Sequence, residues 1–332
     1  MEFGEVPTDQ AAGAILAHSE ALPGGGRLRK GIPLGPEEIA RLHAAGITSV
    51  TVARLGPDDL HEDAAAMAVA RALVPDPEAA GLELRAMRTG RVNILAKGPG
   101  VVRLNAKRIH QMNAAEPMIT LATVPPWQRM EAGGMVGTIK IIAYAVPQQG
   151  LARACALGAD AISLRPPVLR RAVLIQTSVG EEDGVKGHRV TEARLSRLGV
   201  TLAPCQIVPH RVAELSQALR AAKAADLILI LTGSATSDIR DTAPEALREA
   251  GGRVLHFGMP VDPGNLLFIG KLGRVPVIGL PGCAKSPALN GADWVMERII
   301  CGVPVTPRSI AAMGVGGLLK EIPTRPRPRE GT

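Results

Sequence analysis

Short apolar runs and helically spaced apolar residues alternate through the C-terminal half of the chain. Residues 227–231 are consecutive aliphatic side chains, which is typical of a strand buried on both faces. Residues 210–225 instead carry apolar side chains at helical spacing. The same alternation predicts further strands at 173–177, 200–204, 253–257 and 275–280, and further helices at 193–198, 241–250 and 289–300. This order predicts a mostly parallel sheet with helices on both faces.

The N-terminal half mixes the two patterns less regularly. Pro36 opens a predicted helix that Gly46 closes, and a strand is predicted at 47–53. A second helix is predicted over residues 62–73, where alanine and other helix formers follow two acidic residues. Residues 92–146 show strand-like runs separated by glycine turns. We therefore expect an α+β domain here.

The predicted fold class is thus a C-terminal three-layer α/β/α domain with a mostly parallel sheet, joined to an N-terminal α+β domain. The chain has 332 residues, of which 46% are hydrophobic, so its length suits two domains, each with its own core. The prolines at 166–167 suggest the boundary. We expect domains at 1–168 and 169–320, followed by a flexible Pro/Arg tail at 321–332.

The composition limits the class of partner. Lys and Arg number 38 and Asp and Glu number 31, which gives a formal charge of +7 that is spread along the chain. Only three Phe, two Trp and one Tyr are present, so a nucleic-acid binder that stacks bases on aromatic side chains is not expected. A small anionic ligand, such as a phosphate ester, suits this charge better.

Cysteine spacing and hydropathy bear on metal sites and location. The four cysteines stand far apart with no C-x-x-C pair, which argues against a zinc ribbon or a redox pair. The first ten residues, MEFGEVPTDQ, contain no apolar stretch of the kind found in signal peptides. The longest apolar run is far shorter than a membrane span. We expect a cytoplasmic protein with no membrane partner.

Three segments rich in glycine, hydroxyl and acidic residues each follow a predicted strand of the C-terminal sheet. They span residues 232–241, 258–265 and 280–286. Because ligands in open α/β sheets bind outside the carboxyl ends of the strands, we expect the three segments to line one crevice. The candidate binding residues within them are Thr232, Gly233, Ser234, Thr236, Ser237, Asp262, Pro263, Gly264, Asn265, Pro281, Gly282, Cys283, Lys285 and Ser286.

Two acidic residues and one arginine of the first segment allow two interpretations each. Asp238 and Asp241 precede a predicted helix. In one interpretation they cap the N-terminus of this helix and complement its dipole. In the other, Asp241 is a ligand that holds Mg²⁺ against a phosphate. Spacing alone favours the cap. Arg240 is either a surface residue or a phosphate clamp.

Turn chemistry and side-chain type bear on the remaining candidates. The Pro-Gly pairs at 263–264 and 281–282 predict type II turns. Cys283 is either a packing residue or a nucleophile, and the lack of a nearby histidine in the sequence favours packing. Lys140 shares a predicted strand face with apolar residues, so it either extends its ammonium to solvent or reaches a ligand.

The three segments also carry a family resemblance. In order, T-G-S-x-x-S-D-x-x-D at 232–241, G-M-P-V-D-P-G-N at 258–265 and L-P-G-C-A-K-S at 280–286 resemble the TGG…D, KPGKP and LPGNP motifs of the molybdopterin-binding domain of molybdenum cofactor biosynthesis proteins. Residues 28–52 are similar to a stretch of molybdopterin molybdenumtransferase. Runs such as 256–267 and 313–319 resemble a subfamily whose members often precede a nucleotidyltransferase domain.

The resemblance implies a function and a set of roles. The ligand would be molybdopterin or its adenylylated or cytidylylated form, with Mg²⁺ held by Asp241, and Asp241, Asp238 and Arg240 would serve catalysis. Lys140 would add a contact from the other domain. The implied reaction is transfer of molybdate into the dithiolene of molybdopterin. The implied partners are a second copy of the chain, as a homodimer, and a nucleotidyltransferase, separate or fused.

The sequence also departs from the family pattern. Ser234 replaces the second glycine of TGG, and the lysines of KPGKP are replaced by Asp262 and by Asn265-Leu266. The S-x-M-D-G-Y-A segment of the molybdenumtransferase is missing. The resemblance therefore supports molybdopterin binding by this chain more strongly than it supports molybdate insertion. The alternative function is a non-catalytic molybdopterin carrier or sensor.

Overall fold

The computed structural model describes residues 1–319, and the tail predicted at 321–332 lies outside the described residues. The chain divides into two compact units. The first comprises residues 1–98 and 102–164, and the second comprises residues 99–101 and the chain from 165 onward.

Residues 1–165 form short strands interspersed with helices. The strands are β1 Glu2–Pro7, β2 Ile15–Leu16, β3 Glu20–Ala21, β4 Arg27–Leu28, β5 Ser49–Arg54, β6 Asp59–His61, β7 Leu82–Ala86, β8 Arg91–Ala96, β9 Gly100–Leu104, β10 Ile119–Thr123, β11 Arg129–Met130, β12 Met135–Ile141, β13 Ala145–Pro147 and β14 Ile162–Arg165. The helices are α1 Pro36–Ala44, α2 Glu62–Leu73, α3 Ala106–Ala115 and α4 Gln148–Gly158.

The main core of the first unit lies under an antiparallel sheet of order β10-β12-β8-β7. Ile94 and Ile139 from this sheet pack with Val69 of α2 and Met112 of α3, and all four are fully buried. The predicted helices at 36–46 and 62–73 are confirmed as α1 and α2.

The strand-like interpretation of residues 92–146 is wrong at α3. This helix begins after Asn105, whose side chain accepts a hydrogen bond from the amide of Arg108 at 3.2 Å. It presents only Ile109 and Met112 to the core, so its apolar face is too narrow to produce a clear helical pattern in the sequence.

The second unit alternates strands and helices as the sequence predicts. Its strands are β15 Arg171–Ser178, β16 Thr201–Leu202, β17 Gln206–Pro209, β18 Leu227–Leu231, β19 Arg253–Phe257, β20 Phe268–Leu272 and β21 Val275–Leu280. Its helices are α5 Val185–Ser196, α6 Val212–Ala221, α7 Thr242–Glu249, α8 Gly291–Ile300 and α9 Pro307–Ala311.

The sheet of the second unit has the order β16-β15-β18-β21-β20-β19, and β17 also pairs with β15. Strand β15 runs parallel to β16, β17 and β18, and β18 runs parallel to β21. Strands β20 and β19 continue the sheet antiparallel. The predicted fold class, a mostly parallel sheet in an α/β domain beside an α+β part, is confirmed.

Alternation along β18 separates the two helical layers. Ile228 and Ile230 pack with Leu219 of α6 and Leu247 of α7. Leu231 points to the opposite face, where its Cδ2 atom lies against Gly187 of α5. Helix α8 is joined to α5 by an ion pair described below. The three-layer arrangement therefore follows from one strand with apolar side chains on both faces.

Three local predictions in this unit are wrong. Helix α5 begins at Val185, eight residues before the predicted start, because glycine and charged residues in its first turns obscure the periodicity. The strand predicted at 200–204 is only the two-residue strand β16, and the next strand, β17, begins after it at Gln206. Strand β20 was not predicted, although the Pro-Gly pair at 263–264 separates the apolar run at 266–272 from the residues before it.

Candidate functional site

The carboxyl ends of three parallel strands meet at one edge of the sheet. Gln176 of β15 is in register with Leu231 of β18, and Leu231 is in register with Leu280 of β21. The residues that follow these strands therefore leave the sheet side by side. Two of the three segments singled out from the sequence, 232–241 and 280–286, begin at this edge.

The third segment, 258–265, lies at the same edge. It precedes β20, whose first residue Phe268 pairs with Gly279 near the end of the antiparallel strand β21. The carbonyl of Pro263 accepts a hydrogen bond from the amide of Gly291 at 2.8 Å, which ties this loop to the start of α8. All three segments thus border one rim of the second unit.

The loop after β18 packs closely against β15. The amide of Gly233 donates to Oγ1 of Thr177 at 3.0 Å, and a Cβ atom at position 233 would lie 2.7 Å from the Thr177 carbonyl oxygen. The hydroxyls of Thr232 and Thr236 lie 3.4 Å apart, and both residues are buried. Ser234 and Ser237 are exposed. Glycine is therefore required at 233, and Ser234 offers its hydroxyl at the surface.

Asp241 caps helix α7. Its Oδ1 accepts a hydrogen bond from the amide of Thr242 at 2.6 Å, and its Oδ2 accepts one from the amide of Ser237 at 2.9 Å. The carboxylate therefore closes the 233–241 loop as well as the helix N-terminus. Of the two interpretations drawn from the sequence, the capping role accounts for these contacts.

Asp238 and Arg240 form an exposed pair in the same loop. Oδ1 of Asp238 accepts from the amide of Arg240 at 2.8 Å and from its Nε at 3.2 Å. The backbone hydrogen bond, followed by the side-chain bond, lowers the pKa of Asp238 below its ordinary value. Arg240 has 83% of its side chain exposed, so its guanidinium remains accessible to an anion.

Neither predicted type II turn forms. Gly264 has a φ of 143°, whereas the glycine of a type II turn has a φ near about 80°. Gly264 packs against Gly291, whose amide nitrogen would lie 2.9 Å from an added Cβ. Gly282 starts a 3₁₀ turn, Gly282–Lys285, with Pro281 as its N-cap. The packing of each loop on its neighbours, rather than the Pro-Gly pair, sets its conformation.

Arg194 of α5 holds the loop after β21 in place. Its Nη1 donates to the carbonyl of Ala284 at 2.7 Å, and its Nη2 donates to those of Ser286 and Ala288 at 2.7 and 3.1 Å. Its Nε donates to Asp293 of α8 at 2.5 Å. One guanidinium thereby joins two helices and three carbonyl groups, a role that no local sequence pattern signals.

Asp293 is the buried partner of this pair. Its Oδ2 accepts a hydrogen bond from the amide of Asn290 at 2.9 Å, which completes a capping box at the start of α8. Burial raises the pKa of Asp293 above its ordinary value, and Arg194 acts in the opposite direction. The pair is 10% exposed on each side, so removing Arg194 leaves the Asp293 carboxylate with only the Asn290 amide and the charge of Arg197.

Cys283 and Lys285 lie on the loop that Arg194 holds. The thiol sulfur of Cys283 accepts a hydrogen bond from Nδ2 of Asn290 at 3.1 Å. Cys283 is exposed and Lys285 is half-buried. The contact with Asn290 agrees with the packing interpretation of Cys283, and Lys285 provides a cation at the rim.

The remaining exposed candidates are Asp262, Asn265 and Ser286. Asp262 bonds through its backbone to Gly317 and Leu319, and Oγ of Ser286 accepts from the amide of Ala288 at 3.3 Å. All three therefore border the same rim of the second unit.

Lys140 belongs to the first unit. Its Nζ donates to the carbonyl of Thr89 and lies 3.5 Å from Oε2 of Glu62, a carboxylate that is 9% exposed. The ammonium therefore neutralises a buried acid. A contact from Lys140 to a ligand stays a prediction.

A cleft that the sequence analysis did not single out opens beside the Gly233 loop. It has a volume of about 550 Å³ and is bordered by residues 178–182, which follow β15, and 207–211, which end β17 and lead into α6. His210 in this cleft bonds through Nδ1 to Oγ1 of Thr177 at 2.7 Å. Ligands in open α/β sheets bind outside the carboxyl ends of the strands, and the segment that begins at residue 178 also follows such a strand end.

The structure defines a three-layer α/β domain whose loops at the carboxyl edge present hydroxyl groups and cationic side chains, which suit an anionic ligand. Comparisons with known families agree with this class. Residues 188–299 match the family described as "Probable molybdopterin binding domain". Residues 5–54 match a second family, described as a domain of unknown function. No match was found among curated proteins.

The matched range of 188–299 includes all three motif-bearing segments, so the resemblance drawn from them is confirmed for this part of the chain. The match covers less than half of the 332 residues. It relates this domain to the molybdopterin-binding domains of molybdenum cofactor biosynthesis proteins.

Several solved structures align weakly with the chain. A molybdopterin biosynthesis MoeA protein from Pyrococcus horikosii aligns at 15% identity and a TM-score of 0.30, covering 93% of this chain and 75% of its own. Molybdenum cofactor biosynthesis protein B aligns at 16% identity and a TM-score of 0.28, covering 40% and 88%. A molybdopterin biosynthesis protein from Mycobacterium abscessus aligns at 16% identity and a TM-score of 0.28, covering 42% and 92%.

From the sequence, Asp241 is a candidate metal ligand and no membrane-spanning segment is expected. Within residues 1–319, no group of three or more His, Cys, Asp or Glu side chains is arranged to hold a metal ion. In the same part of the chain, no helix combines the length and apolar character needed to cross a membrane.

Proposed function

We propose that the second unit binds molybdopterin at the carboxyl edge of its sheet and that the protein acts in molybdenum cofactor biosynthesis. One observation carries this proposal: the family match at 188–299 spans the same three segments that border one rim of the sheet. A pterin with a phosphate arm needs cationic groups and hydrogen-bond donors at one place, and this rim offers both.

The phosphate would lie between the Gly233 loop and the loop at 282–286. The Gly233 amide already bonds to Thr177 and the Ser237 amide to Asp241, so these two amides are engaged within the protein. Ser234 would donate its hydroxyl, and Lys285 would supply a positive charge. The exposed guanidinium of Arg240 would bind the anion from the loop side.

Asp241 fits a Mg²⁺ site in which it is one protein carboxylate and the bound ligand supplies further oxygen atoms. Each carboxylate oxygen accepts one backbone amide, which leaves a second lone pair on each. Mg²⁺ in phosphate sites is commonly held by one or two carboxylates together with the ligand's own oxygens. A bound Mg²⁺ would neutralise phosphate charge, and Asp241 would orient it.

The catalytic form of this proposal is a transferase in which the two dithiolene sulfurs of adenylylated molybdopterin bind the molybdenum of molybdate. The displaced oxygen would leave as water with the two thiol protons, and hydrolysis would release the adenylyl group as AMP. A carrier or sensor is the second candidate, favoured by the use of both Asp241 carboxylate oxygens in backbone capping. A turnover assay with molybdate and adenylylated molybdopterin separates the two. Formation of the molybdenum cofactor supports the transferase, and ligand binding without product supports the carrier. A homodimer and a nucleotidyltransferase partner remain part of the proposal.

The binding proposal is tested by identifying the small molecule that co-purifies with the full chain. Mass spectrometry should find molybdopterin or its nucleotide form in the wild type. Asp241→Asn should lower both the bound Mg²⁺ and the bound pterin, because the amide nitrogen cannot accept the Ser237 amide or bind the cation. The control is Glu245→Gln, an exposed acid on the first turn of the same helix. If Asp241→Asn retains metal and pterin at wild-type levels, the role assigned to this carboxylate is wrong.

A further inference from the structure

Lys285 lies in a short irregular loop at the rim. The loop begins with the 3₁₀ turn Gly282–Lys285. The amides of Ala284 and Ser286 close this turn by donating to carbonyls three residues earlier, at 2.8 and 3.1 Å. Because so short a turn fixes few backbone dihedral angles, the direction of a side chain that leaves it depends on contacts from outside the loop.

Arg194 of α5 binds this loop on both sides of Lys285. Its Nη1 donates to the carbonyl of Ala284 and its Nη2 to that of Ser286, each at 2.7 Å. The two carbonyl groups that flank Lys285 along the chain therefore accept from one guanidinium. Because the guanidinium is planar and its donors have a fixed geometry, these contacts fix the backbone at Lys285 and the direction in which its side chain leaves.

The guanidinium of Arg194 is itself held from the other side. Its Nε donates to Oδ1 of Asp293 at 2.5 Å, and both side chains are 10% exposed. Asp293 belongs to α8 and also accepts the amide of Asn290 at 2.9 Å. All three nitrogens of Arg194 thus donate within the protein. An influence of Arg194 on a ligand at the rim must therefore pass through the loop.

The ammonium of Lys285 is the charge that this arrangement places. Lys285 is half-buried, and among residues 1–319 no carboxylate pairs with it. Arg240, a second cation of the rim, has 83% of its side chain exposed and pairs with Asp238. A lysine carries a compact charge on a flexible stem, so the direction of the stem decides whether that charge reaches a given anion.

We propose that Arg194 is a positioning residue that sets the place of the Lys285 ammonium, and through it the preference of the rim for a pterin with a phosphate over the same pterin without one. This inference rests on the proposed function, in which the phosphate lies between the Gly233 loop and residues 282–286. Lysine at position 194 keeps a charge opposite Asp293 but lacks the planar fork that reaches both flanking carbonyls. The conservative substitution therefore separates the charge of Arg194 from its geometry.

The test titrates the full chain with a fluorescent probe, the oxidised pterin obtained from molybdopterin, before and after a phosphatase removes its phosphate. The wild type should bind the phosphorylated probe at least about tenfold more tightly, because that affinity includes a charge-assisted contact with Lys285. Arg194→Lys should lower this ratio by about threefold or more and leave the affinity for the dephosphorylated probe near the wild-type value. A residue that only supports the fold would weaken the binding of both probes alike.

Three further variants isolate the effect. Lys285→Met should lower the ratio by a similar factor, and Arg194→Lys combined with it should lower the ratio no further, because both substitutions remove the same contact. The control is Arg189→Lys, an exposed position on the same helix, which should keep the wild-type ratio. If Arg194→Lys shows no cooperative thermal transition, Arg194→Gln combined with Asp293→Asn takes its place, since it removes both charges of the buried pair together.

Each contrary outcome has a distinct meaning. If Arg194→Lys keeps the wild-type ratio, weakens both probes by the same factor, or adds its effect to that of Lys285→Met, the positioning role is wrong. If neither variant at position 194 folds, Arg194 serves folding alone and the inference is equally overturned. If the wild type binds both probes with the same affinity, the inference fails while pterin binding stands. If the wild type binds neither probe, the proposed function fails as well.

Discussion

At the residue scale, a few positions tolerate one side chain for reasons that depend on their neighbours. Gly233 is the clearest case, since the backbone of β15 occupies the space where a Cβ atom would lie. Gly282 shows the contrast: it lies in a similar loop at the same rim, and nothing lies within 4 Å of an added Cβ. Gly233 and Gly282 are thus the same residue type in similar loops, but only at position 233 does the packing require glycine.

Gly233→Ala should destabilise the protein by about 1–3 kcal/mol, because a methyl group forces the loop away from the Thr177 carbonyl. It should also weaken molybdopterin binding at the rim. Thermal unfolding and ligand titration measure the two effects. Gly282→Ala is the matched control and should stay close to wild type in stability. Equal stability of the two variants would contradict the packing argument for position 233.

At the scale of elements, the rim is assembled by contacts between helices and loops. The capping residues Asp241 and Asn290 start α7 and α8 at this edge, and Arg194 joins α5 to α8 and to the loop between β21 and α8. The parallel register of β15, β18 and β21 brings the loops together. The side-chain network then holds them in shape.

Arg194→Met should destabilise the protein by about 3–5 kcal/mol at neutral pH, since it removes the ion-pair partner of the buried Asp293 carboxylate and leaves it only the Asn290 amide and the charge of Arg197. Removing the arginine removes an influence that lowers the pKa of Asp293, so that pKa rises further above the ordinary value of 3.8. A carboxyl group whose pKa is raised on folding destabilises the folded state when the pH rises above the pKa that the group has in the unfolded chain.

The loss of unfolding free energy in Arg194→Met, relative to the wild type, should therefore grow as the pH rises from about 4 to 7 and shrink on acidification. Urea unfolding at a series of pH values measures it. Arg189→Met, an exposed arginine on the same helix, should show a small deficit that does not depend on pH. A deficit for Arg194→Met that is the same at both ends of the range would contradict the role assigned to Asp293.

At the scale of the whole molecule, the chain builds two units with separate cores. Val69, Ile94 and Ile139 centre the first, and Leu219 and Ile230 centre the second. The second unit takes only residues 99–101 from the chain before residue 165. All the rim and cleft residues discussed above belong to the second unit.

A polypeptide that comprises residues 165–332 should therefore fold alone, because it contains the complete sheet and the helices that cover both faces. A single cooperative transition in thermal circular dichroism is expected. Leu229→Asp places a charge on the fully buried central strand and should abolish that transition. Absence of a transition in the unsubstituted fragment would show that the sheet depends on residues before 165, either the 99–101 segment or the first unit.

The sequence by itself determined the fold class and the location of the rim. Five consecutive aliphatic residues at 227–231 can form only a strand buried on both faces in this context, and strand ends in a parallel sheet face one edge. The motifs at 232–241, 258–265 and 280–286 therefore identified the domain now matched at 188–299. These features are local, so they can be read along the chain.

Only the tertiary structure decided which side chains are engaged. Asp241 binds two amides, Arg194 joins α5 to a loop about ninety residues further along the chain, and the Thr177–His210 contact places a histidine beside the Gly233 loop. The cleft arises because β15 pairs with β17, a strand whose four residues show little pattern. Such contacts join residues distant in sequence, and their geometry depends on packing that no local pattern encodes.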